Sequence, residues 1–283
     1  MNGLDTSVKT RLVTSAVQQW TAPLWDARWD AQALQRRKRQ IGSRGFKRGF
    51  QQVAIADEER TFPWFDGCVR LVPPEQHRAA IRELVDPVWP LYGGVDVARR
   101  TRPGSAVFVL ANSPSGVRVP VEIRYGAWSP DRLAAEVLAV DDALRPVYFM
   151  VENNATQDAY LSLIRQVAAA RGIGQVPALQ AFTTGQNKAD ETAGLPGVAI
   201  ELEHQQWEIV LPDHGPTCTL GGDGLPCAWC AWAEDMRSHP LAGSFDLGMA
   251  SWFAREAART TGVYQAGPSV KVNLNKRQWY GRR

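Results

Sequence analysis

The sequence predicts a mixed α/β fold in which helices flank a mixed β-sheet, and three observations lead to this prediction. Apolar or alternating segments at 91–98, 105–112 and 117–126 are separated by short turns, which predicts an antiparallel meander of three strands. The short continuous apolar segment 146–152 is typical of a central, fully buried strand. Amphipathic segments with helical spacing stand on both sides of that strand.

Two helices are predicted around the buried strand. The first covers residues 129–144, where Ser129 is a preferred N-cap residue and Pro130 suits the first helical position. The second covers residues 155–172 and ends at Gly172. We therefore expect a right-handed helical crossover that brings the fourth strand parallel to the first.

Three further elements complete the predicted order. Residues 177–185 are expected to form a strand, residues 197–212 a hairpin and residues 245–260 a final helix. Three antiparallel strands, a helix, a strand, a helix, a strand and a terminal helix is the element order of the RNase H-like fold. The predicted architecture is an RNase H-like mixed sheet flanked by helices, with a helical N-terminal segment and an inserted hairpin and cysteine-containing loop.

The chain divides into three predicted parts. Residues 1–85 are expected to be a mainly helical linker, in which Asp30 caps a helix that ends at Gly42. Residues 86–265 contain the predicted sheet and form the RNase H-like domain, and residues 266–283 form a basic tail. Basic side chains also concentrate in the N-terminal part, where they either contact phosphates or simply face solvent.

The composition is that of an ordinary globular protein, with 45% hydrophobic and 22% charged residues. The formal net charge of +3 is too small to indicate a nucleic-acid partner by itself. No apolar segment approaches the roughly 18 residues of a membrane span, and the N-terminal segment lacks the apolar region of a signal peptide. We therefore expect a cytoplasmic location and no membrane partner.

Three carboxylates fall where they can converge. Asp96 lies in an otherwise apolar strand, Glu152 ends the buried strand and Asp246 begins the last helix. Together they could hold two divalent cations about 4 Å apart, and Mg²⁺ or Mn²⁺ suits such an all-oxygen site. Structural roles remain open: a solvated strand end for Glu152 and an N-cap for Asp246. Asp96 could instead pair with Arg99 or Arg100.

A cysteine cluster predicts a second kind of metal site. His214, Cys218, Cys227 and Cys230 have the spacing H-x₃-C-x₈-C-x₂-C, which offers four ligands for a structural zinc ion. His239 is an alternative fourth ligand. The structural alternative is three partly buried thiols and a surface histidine. Such a site would be closed, so it would stabilise the loop rather than perform chemistry.

The sequence also resembles a known family in several segments that occur in the same order. VENNATQDAYLSLIRQV, ALQAFTTGQNKAD and GLPGVAIELEHQQWEIVLP resemble the nuclease domain of the large terminase subunit of tailed bacteriophages, the DNA-packaging motor protein. GVDVA with PGSAVFVLA, and HPLAGSFDLGMASWFAREAAR, match the same family. RWDAQALQRRKRQIGSRGFKRGFQQ resembles the junction between the family's ATPase and nuclease, so the likeness runs from about residue 25 to 262.

The resemblance implies a two-metal endonuclease that cuts concatemeric viral double-stranded DNA during genome packaging. Asp96, Glu152 and Asp246 fall on the family's acidic positions. The implied partners are a packaging ATPase, the small terminase subunit and the portal of the procapsid. The implied location is the host cytoplasm, transiently at the portal, and not the mature virion. Four residues fall in the loop that we expect to face DNA: Thr183, Thr184, Asn187 and Lys188.

The sequence departs from the family at two points. Phe245 stands where relatives often have an acid next to the one at Asp246, so the metal site could be poorer than usual. No GxxxxGK[ST] loop occurs in the chain, so a separate polypeptide is expected to supply ATP hydrolysis. Two alternatives therefore stay open. One is a non-catalytic packaging component that binds DNA, the ATPase or the portal, and the other is an RNase H-like junction resolvase or transposase-like enzyme.

Overall fold

The computed structural model describes residues 29–50, 60–97, 104–152, 157–182, 184, 186–190, 192–215, 217–221, 225–240 and 245–261. The predicted basic tail, Thr183, Arg99 and Arg100 lie outside these residues. None of the described helices combines the length and the apolar character that crossing a bilayer requires.

The elements in chain order are α1 (Ala31–Phe50), β1 (Val69–Val72), α2 (His77–Leu84), β2 (Leu91–Asp96), β3 (Ser105–Asn112), β4 (Arg118–Gly126), α3 (Pro130–Leu144), β5 (Phe149–Glu152), α4 (Gln157–Ala170), β6 (Leu179–Phe182), α5 (Leu195–Glu203), β7 (Ile209–Pro212), α6 (Ala228–Ser238) and α7 (Asp246–Thr260).

The main sheet has five strands in the order β4-β3-β2-β5-β6. β2, β3 and β4 pair antiparallel, whereas β5 pairs parallel with β2 and β6 pairs parallel with β5. The meander and the parallel fourth strand are therefore confirmed. This mixed sheet, covered by helices on both faces, has the strand order of the RNase H-like fold, as the element order predicted.

Helices pack on each face of the sheet because the strands alternate their apolar side chains between two cores. One core contains side chains such as Val95, Val107 and Val151 and is closed by α2, α3 and α4. The other contains side chains such as Tyr92 and Phe108 and is closed by α5, α6 and α7. Since both faces are buried, the strands read as almost continuous apolar segments.

Gly94 lets α7 lie directly on the sheet. A Cβ atom added at Gly94 would lie 2.0 Å from the main-chain oxygen of Ala250 and 2.4 Å from the main-chain nitrogen of Ala254. At the other end of the helix, the Tyr148 hydroxyl donates a hydrogen bond of 2.8 Å to the main-chain oxygen of Ala257. Tyr148 precedes β5 and contacts the later part of α7, whereas Gly94, further along β2, contacts an earlier part. These contacts show that α7 runs antiparallel to β2 and β5. The first residue of α7 therefore lies towards the C-terminal ends of both strands.

The predicted hairpin at 197–212 is wrong. Its first half is the helix α5, and its second half is the strand β7. Leu195, Val198, Ala199 and Leu202 are all buried, which is the spacing of a helix that packs one face on a core. The alternating letters of this segment suggested a strand, but this spacing and the proline at the start of the helix fit the helix.

Two features of the N-terminal part modify the predicted linker. Asp30 caps α1 as expected, since its Oδ1 accepts a 2.6 Å hydrogen bond from the main-chain N–H of Ala33. Gly42 has a positive φ of 70°, so it ends one helical segment and a second begins after it. β1 was not predicted, and it pairs parallel with β7. Main-chain hydrogen bonds thus join the segment before residue 86 to the RNase H-like region.

Candidate functional site

The carboxylates of Asp96 and Glu152 lie in one row across the sheet. β2 and β5 pair in parallel with Val95 opposite Val151, and continuing that register by one residue places Asp96 beside Glu152. Neighbouring strands lie about 4.8 Å apart, and residues paired in register point to the same face. Because alternate strand residues share a face, both carboxylates face the α7 side, as Tyr92 and Met150 do.

The start of α7 brings a third carboxylate to this row. Asp96 pairs with Ala106, and Ala106 pairs with Tyr125, so the row continues across the sheet to the Tyr125 side chain. Burial raises the pKa of the Tyr125 hydroxyl, and the negative charges of Asp246, Asp235 and Asp96 raise it further. The three carboxylates are therefore near enough to the tyrosine hydroxyl for their charges to act on it. The antiparallel direction of α7 also places Asp246, its first residue, towards the C-terminal ends of β2 and β5.

Asp235 of α6 is an acid of this region that sequence reasoning missed. One of its carboxylate oxygens, Oδ2, accepts hydrogen bonds from the main-chain N–H groups of Leu247 (3.2 Å) and Gly248 (3.3 Å), in the first turn of α7. Burial raises the pKa of Asp235 to about 7, and the charge of Asp246 adds to this effect while the two amides oppose it. Asp235 thus lies next to Asp246 at the same end of α7.

The three predicted site acids are buried in the fold. Asp96, Glu152 and Asp246 are 6%, 8% and 4% exposed. Charged side chains are rarely this buried unless a partner or a metal ion compensates the charge. Burial and the repulsion from neighbouring acids together raise the pKa of Asp235 and of Tyr125, and a bound cation would relieve the repulsion. The all-oxygen donor set therefore fits hard divalent ions such as Mg²⁺ or Mn²⁺.

The predicted DNA-facing loop begins beside Glu152. The Thr184 hydroxyl lies within hydrogen-bonding distance of the Glu152 carboxylate, 3.4 Å from Oε1. Lys188 follows in a short 3₁₀ turn, Gln186–Ala189, and its side chain is exposed. Asn187 belongs to the same turn, whereas Thr183 is outside the described residues. The structure thus places Thr184 at the acidic row and Lys188 on the surface one turn away.

Phe245 occupies the position where an acid was expected next to Asp246. Its ring is buried and packs against His239, with ring centroids 4.2 Å apart, and against Phe62 at 5.9 Å. The Phe245 side chain therefore packs in an apolar environment at the start of α7. The nearby second acid comes instead from α6, as Asp235.

The four predicted zinc ligands converge on one point. The ligand atoms of His214, Cys218, Cys227 and Cys230 all lie within 4.8 Å of one another. The distances from His214 Nδ1 to the three Sγ atoms are 3.3, 3.6 and 3.4 Å. In the described part of the chain, this is the one group of three or more histidine, cysteine or acidic side chains close enough to share a single ion. Asp96, Glu152 and Asp246, which all lie in the described part of the chain, do not form such a group.

His239 is not the fourth ligand, so that alternative prediction is wrong. Its Nδ1 lies 2.8 Å from the hydroxyl oxygen of Thr61, and its main-chain oxygen accepts a hydrogen bond from the Thr61 N–H. These bonds, together with the contact with Phe245, hold the histidine at the far end of α6 from the cysteines. His214 is nearer because it follows β7, which contacts α6.

A buried ionic network also holds α7 in place. The Arg255 guanidinium bonds Glu201 of α5 at 2.6 Å and also pairs with Glu256. It donates further hydrogen bonds to the main-chain oxygens of Thr192 (2.8 Å) and Ala193 (3.1 Å). Arg255, Glu201 and Glu256 are 3%, 7% and 0% exposed. The network therefore connects α7 to α5 and to the chain segment that follows the Thr184 loop.

Solved structures similar to this chain include Holliday junction resolvases. Thermus thermophilus RuvC is 16% identical over 63% of this chain and 99% of that chain, with a TM-score of 0.34. T. thermophilus RuvC in complex with a Holliday junction substrate is 17% identical over 62% and 96%, with a TM-score of 0.35. The yeast mitochondrial Holliday junction resolvase Ydc2 is 10% identical over 65% and 87%, with a TM-score of 0.37. The chain matches no family model and no curated protein sequence.

Proposed function

We propose that this chain is a metal-dependent endonuclease that cuts concatemeric viral double-stranded DNA during genome packaging, as the nuclease of a terminase large subunit. The observation that carries the proposal is the placement of Asp96 beside Glu152 at the end of α7 that begins with Asp246. Buried carboxylates that a sheet and a helix bring to one place are suited to binding divalent cations. The resemblance of several ordered segments to the terminase nuclease supports the packaging role.

The residues have distinct parts in this proposal. Asp96 and Glu152 provide rigid ligands because main-chain pairing fixes both strands, and Asp246 provides a third from the start of α7. When bound, two Mg²⁺ or Mn²⁺ ions would activate the attacking water and stabilise the leaving oxygen of the phosphodiester. Thr184 orients the Glu152 carboxylate. Lys188 lies on the loop that would contact the DNA backbone, where a positive charge favours phosphate.

The proposed setting follows from the same resemblance. We expect double-stranded DNA as the substrate, and a separate ATPase, the small terminase subunit and the procapsid portal as partners. The protein would act in the host cytoplasm, transiently at the portal, and would be absent from the mature virion.

A second candidate function is a non-catalytic packaging component that docks on the ATPase or portal. The observation in its favour is Phe245, whose buried ring occupies the position of an expected acid. A site with one acid fewer next to Asp246 could bind ions too weakly for cleavage. Asp235 argues against this alternative because it restores an acidic side chain at the same helix end.

A comparison of DNA substrates separates these two functions and the third alternative, an RNase H-like junction resolvase. The purified full chain is incubated with Mg²⁺ or Mn²⁺ and either linear duplex DNA or a four-way junction built from the same sequences. The proposal predicts cuts in both, with no preference for the branch point. Cleavage confined to the junction would replace it by the resolvase alternative. Intact DNA in every reaction, with a folded protein, would favour the non-catalytic component.

A further inference from the structure

We propose that a zinc ion bound by His214, Cys218, Cys227 and Cys230 fixes the start of α6, and that α6 in turn holds the start of α7 through Asp235. The ion would be structural, and its effect would reach the acidic row through one helix. The zinc site and its effect on the position of α7 do not depend on the proposed nuclease activity. The further consequence, that the ion positions Asp246 for DNA cleavage, rests on the proposed function.

The ligand atoms have the chemistry and the spacing of a zinc site. In a tetrahedral site with Zn–S of about 2.3 Å and Zn–N of about 2.0 Å, a sulfur and a nitrogen ligand lie about 3.5 Å apart. The three Nδ1–Sγ distances of 3.3, 3.6 and 3.4 Å agree with that value. Three thiolates and one imidazole are soft and borderline ligands, which select zinc over Mg²⁺ or Ca²⁺.

The main chain around the cluster is arranged for a metal-bound thiolate. The N–H of Cys227 points at the sulfur of Cys218, with a nitrogen–sulfur distance of 3.3 Å. Hydrogen bonds of this kind stabilise the negative charge of a ligating sulfur and orient it towards the ion. Gly215, directly after His214, has a φ of 72°, a conformation that glycine adopts without strain and that turns the chain after the histidine.

The ion would join two elements that are otherwise linked by a long loop. His214 lies just beyond the end of β7, whereas Cys227 is the N-cap of α6 and Cys230 lies in its first turn. A shared ion therefore ties the end of a strand to the start of a helix. Next to this point, Trp229 packs edge-on against His77 of α2, with ring centroids 4.5 Å apart. The start of α6 is thus defined by metal ligands on one side and an aromatic contact on the other.

The opposite half of α6 reaches the acidic row. Asp235 lies about two helical turns beyond Cys227 and accepts the N–H groups of Leu247 and Gly248. The first amides of a helix have no partner inside the helix, so a carboxylate at this place acts as an N-cap supplied by another element. Trp232 and Met236 anchor the same part of α6 in the core. Asp235 is therefore a positioning residue, and it connects the zinc site to the helix that begins with Asp246.

The zinc site is tested by the metal content of the purified full chain. We expect one zinc per chain, lost in Cys227→Ser and retained in Cys68→Ser, because Cys68 bonds the main-chain oxygen of Leu202 away from the cluster. Replacement of zinc by Co²⁺ should give the visible absorption of a tetrahedral thiolate site. Zinc well below one per chain after purification in zinc-containing medium, or equal zinc in Cys227→Ser and wild type, would overturn the proposal.

The connection to α7 is tested by hydrogen exchange of the peptide that contains Leu247 and Gly248. We expect faster exchange at this peptide after zinc is removed from the wild-type protein with a chelator, and recovery when zinc is restored. Asp235→Ala should give the same increase while keeping its zinc. Unchanged exchange in the zinc-free, still helical protein would disprove the connection. These measurements need no DNA, so absent cleavage with full zinc and slow exchange would refute only the proposed nuclease function.

Discussion

Asp96 and Glu152 end two neighbouring parallel strands and lie side by side on the face that α7 covers. Main-chain hydrogen bonds of the central sheet fix this pair, so its geometry does not depend on a flexible loop. Binding sites built on strands hold their ligands more accurately than sites built on loops. The sheet therefore brings two buried negative charges together.

We predict that Glu152→Gln weakens the binding of Mn²⁺ while keeping the fold. The amide has nearly the same size as the carboxylate but has no charge, so the site loses a ligand and some of its internal repulsion. The expected loss in affinity is at least about tenfold, or roughly 1.4 kcal/mol. Titration calorimetry with Mn²⁺ measures it, and the exposed Glu208→Gln is the matched control. Equal affinities of both variants and wild type would remove Glu152 from the site.

Gly94→Ala should separate α7 from the sheet. The new methyl group would meet the main chain of α7 at Ala250 and Ala254, and backbone atoms cannot move aside as flexible side chains do. We expect a loss of about 3 kcal/mol in the free energy of unfolding, at the upper end for overpacking. Urea unfolding measures this loss. Gly67→Ala is the control, because a Cβ there has no neighbour within 4 Å. An unchanged urea midpoint for Gly94→Ala would contradict the described packing of α7.

Arg255→Met should destabilise the protein strongly. The substitution leaves the buried carboxylates of Glu201 and Glu256 without the cation between them, and breaking a buried ion pair typically costs about 3–5 kcal/mol. Arg132, whose side chain is 63% exposed, provides the control: Arg132→Met leaves Glu136 its second partner Arg124 and should cost about 1 kcal/mol or less. Equal losses in the two variants, measured by urea unfolding, would show that the buried network does not hold α7.

Asp141 gives the protein a stability that depends on pH. Burial raises the pKa of this carboxyl group from 3.8 to about 6 in the folded protein, although the charge of Arg145 opposes the shift. A carboxyl group with a raised folded-state pKa favours folding at low pH, and this contribution is lost as the pH rises through about 6. Asp141→Asn should therefore stabilise the protein at pH 8, by at most about 3 kcal/mol.

The same gain should vanish at a pH well below 3.8, where the wild-type carboxyl group is neutral in both states. Thermal unfolding at the two pH values measures the difference. Asp142→Asn is the control, because the Asp142 side chain is 65% exposed and should show no such dependence. A gain of equal size at both pH values would mean that Asp141 does not titrate as described.

Much of the sheet could be predicted because its local signals agree with the final structure. The meander has short turns, the buried strand has a continuous apolar segment, and Ser129 accepts the N–H of Arg132 as an N-cap should. Glu152 was predicted at the end of a strand and Asp96 inside one, and in the structure both residues end their strands. Their adjacency followed from the parallel pairing that the element order predicted.

Other features depend on contacts that a single segment does not encode. α5 alternates apolar and acidic letters because Glu201 is buried with Arg255 and Arg118, so a polar residue occupies a core position. β1 has only four residues and is half exposed, which leaves no clear strand pattern. Asp235 reaches the site from a helix that was not predicted, and only its neighbours Trp232 and Met236, with helical spacing, could have indicated that α6 faces the core.

The most direct test of the central claim is metal-dependent cleavage of supercoiled plasmid DNA by the wild-type chain and by Asp96→Asn. With Mg²⁺ or Mn²⁺ the wild-type protein should nick or linearise the plasmid, and chelation of the metal should stop the reaction. Asp96→Asn should lower the rate at least about a hundredfold, or roughly 2.7 kcal/mol in the barrier. The control Asp131→Asn, on an exposed position of α3, should cut like wild type. Equal cleavage by Asp96→Asn and wild type, or no cleavage by the folded wild-type protein with either metal, would contradict the account.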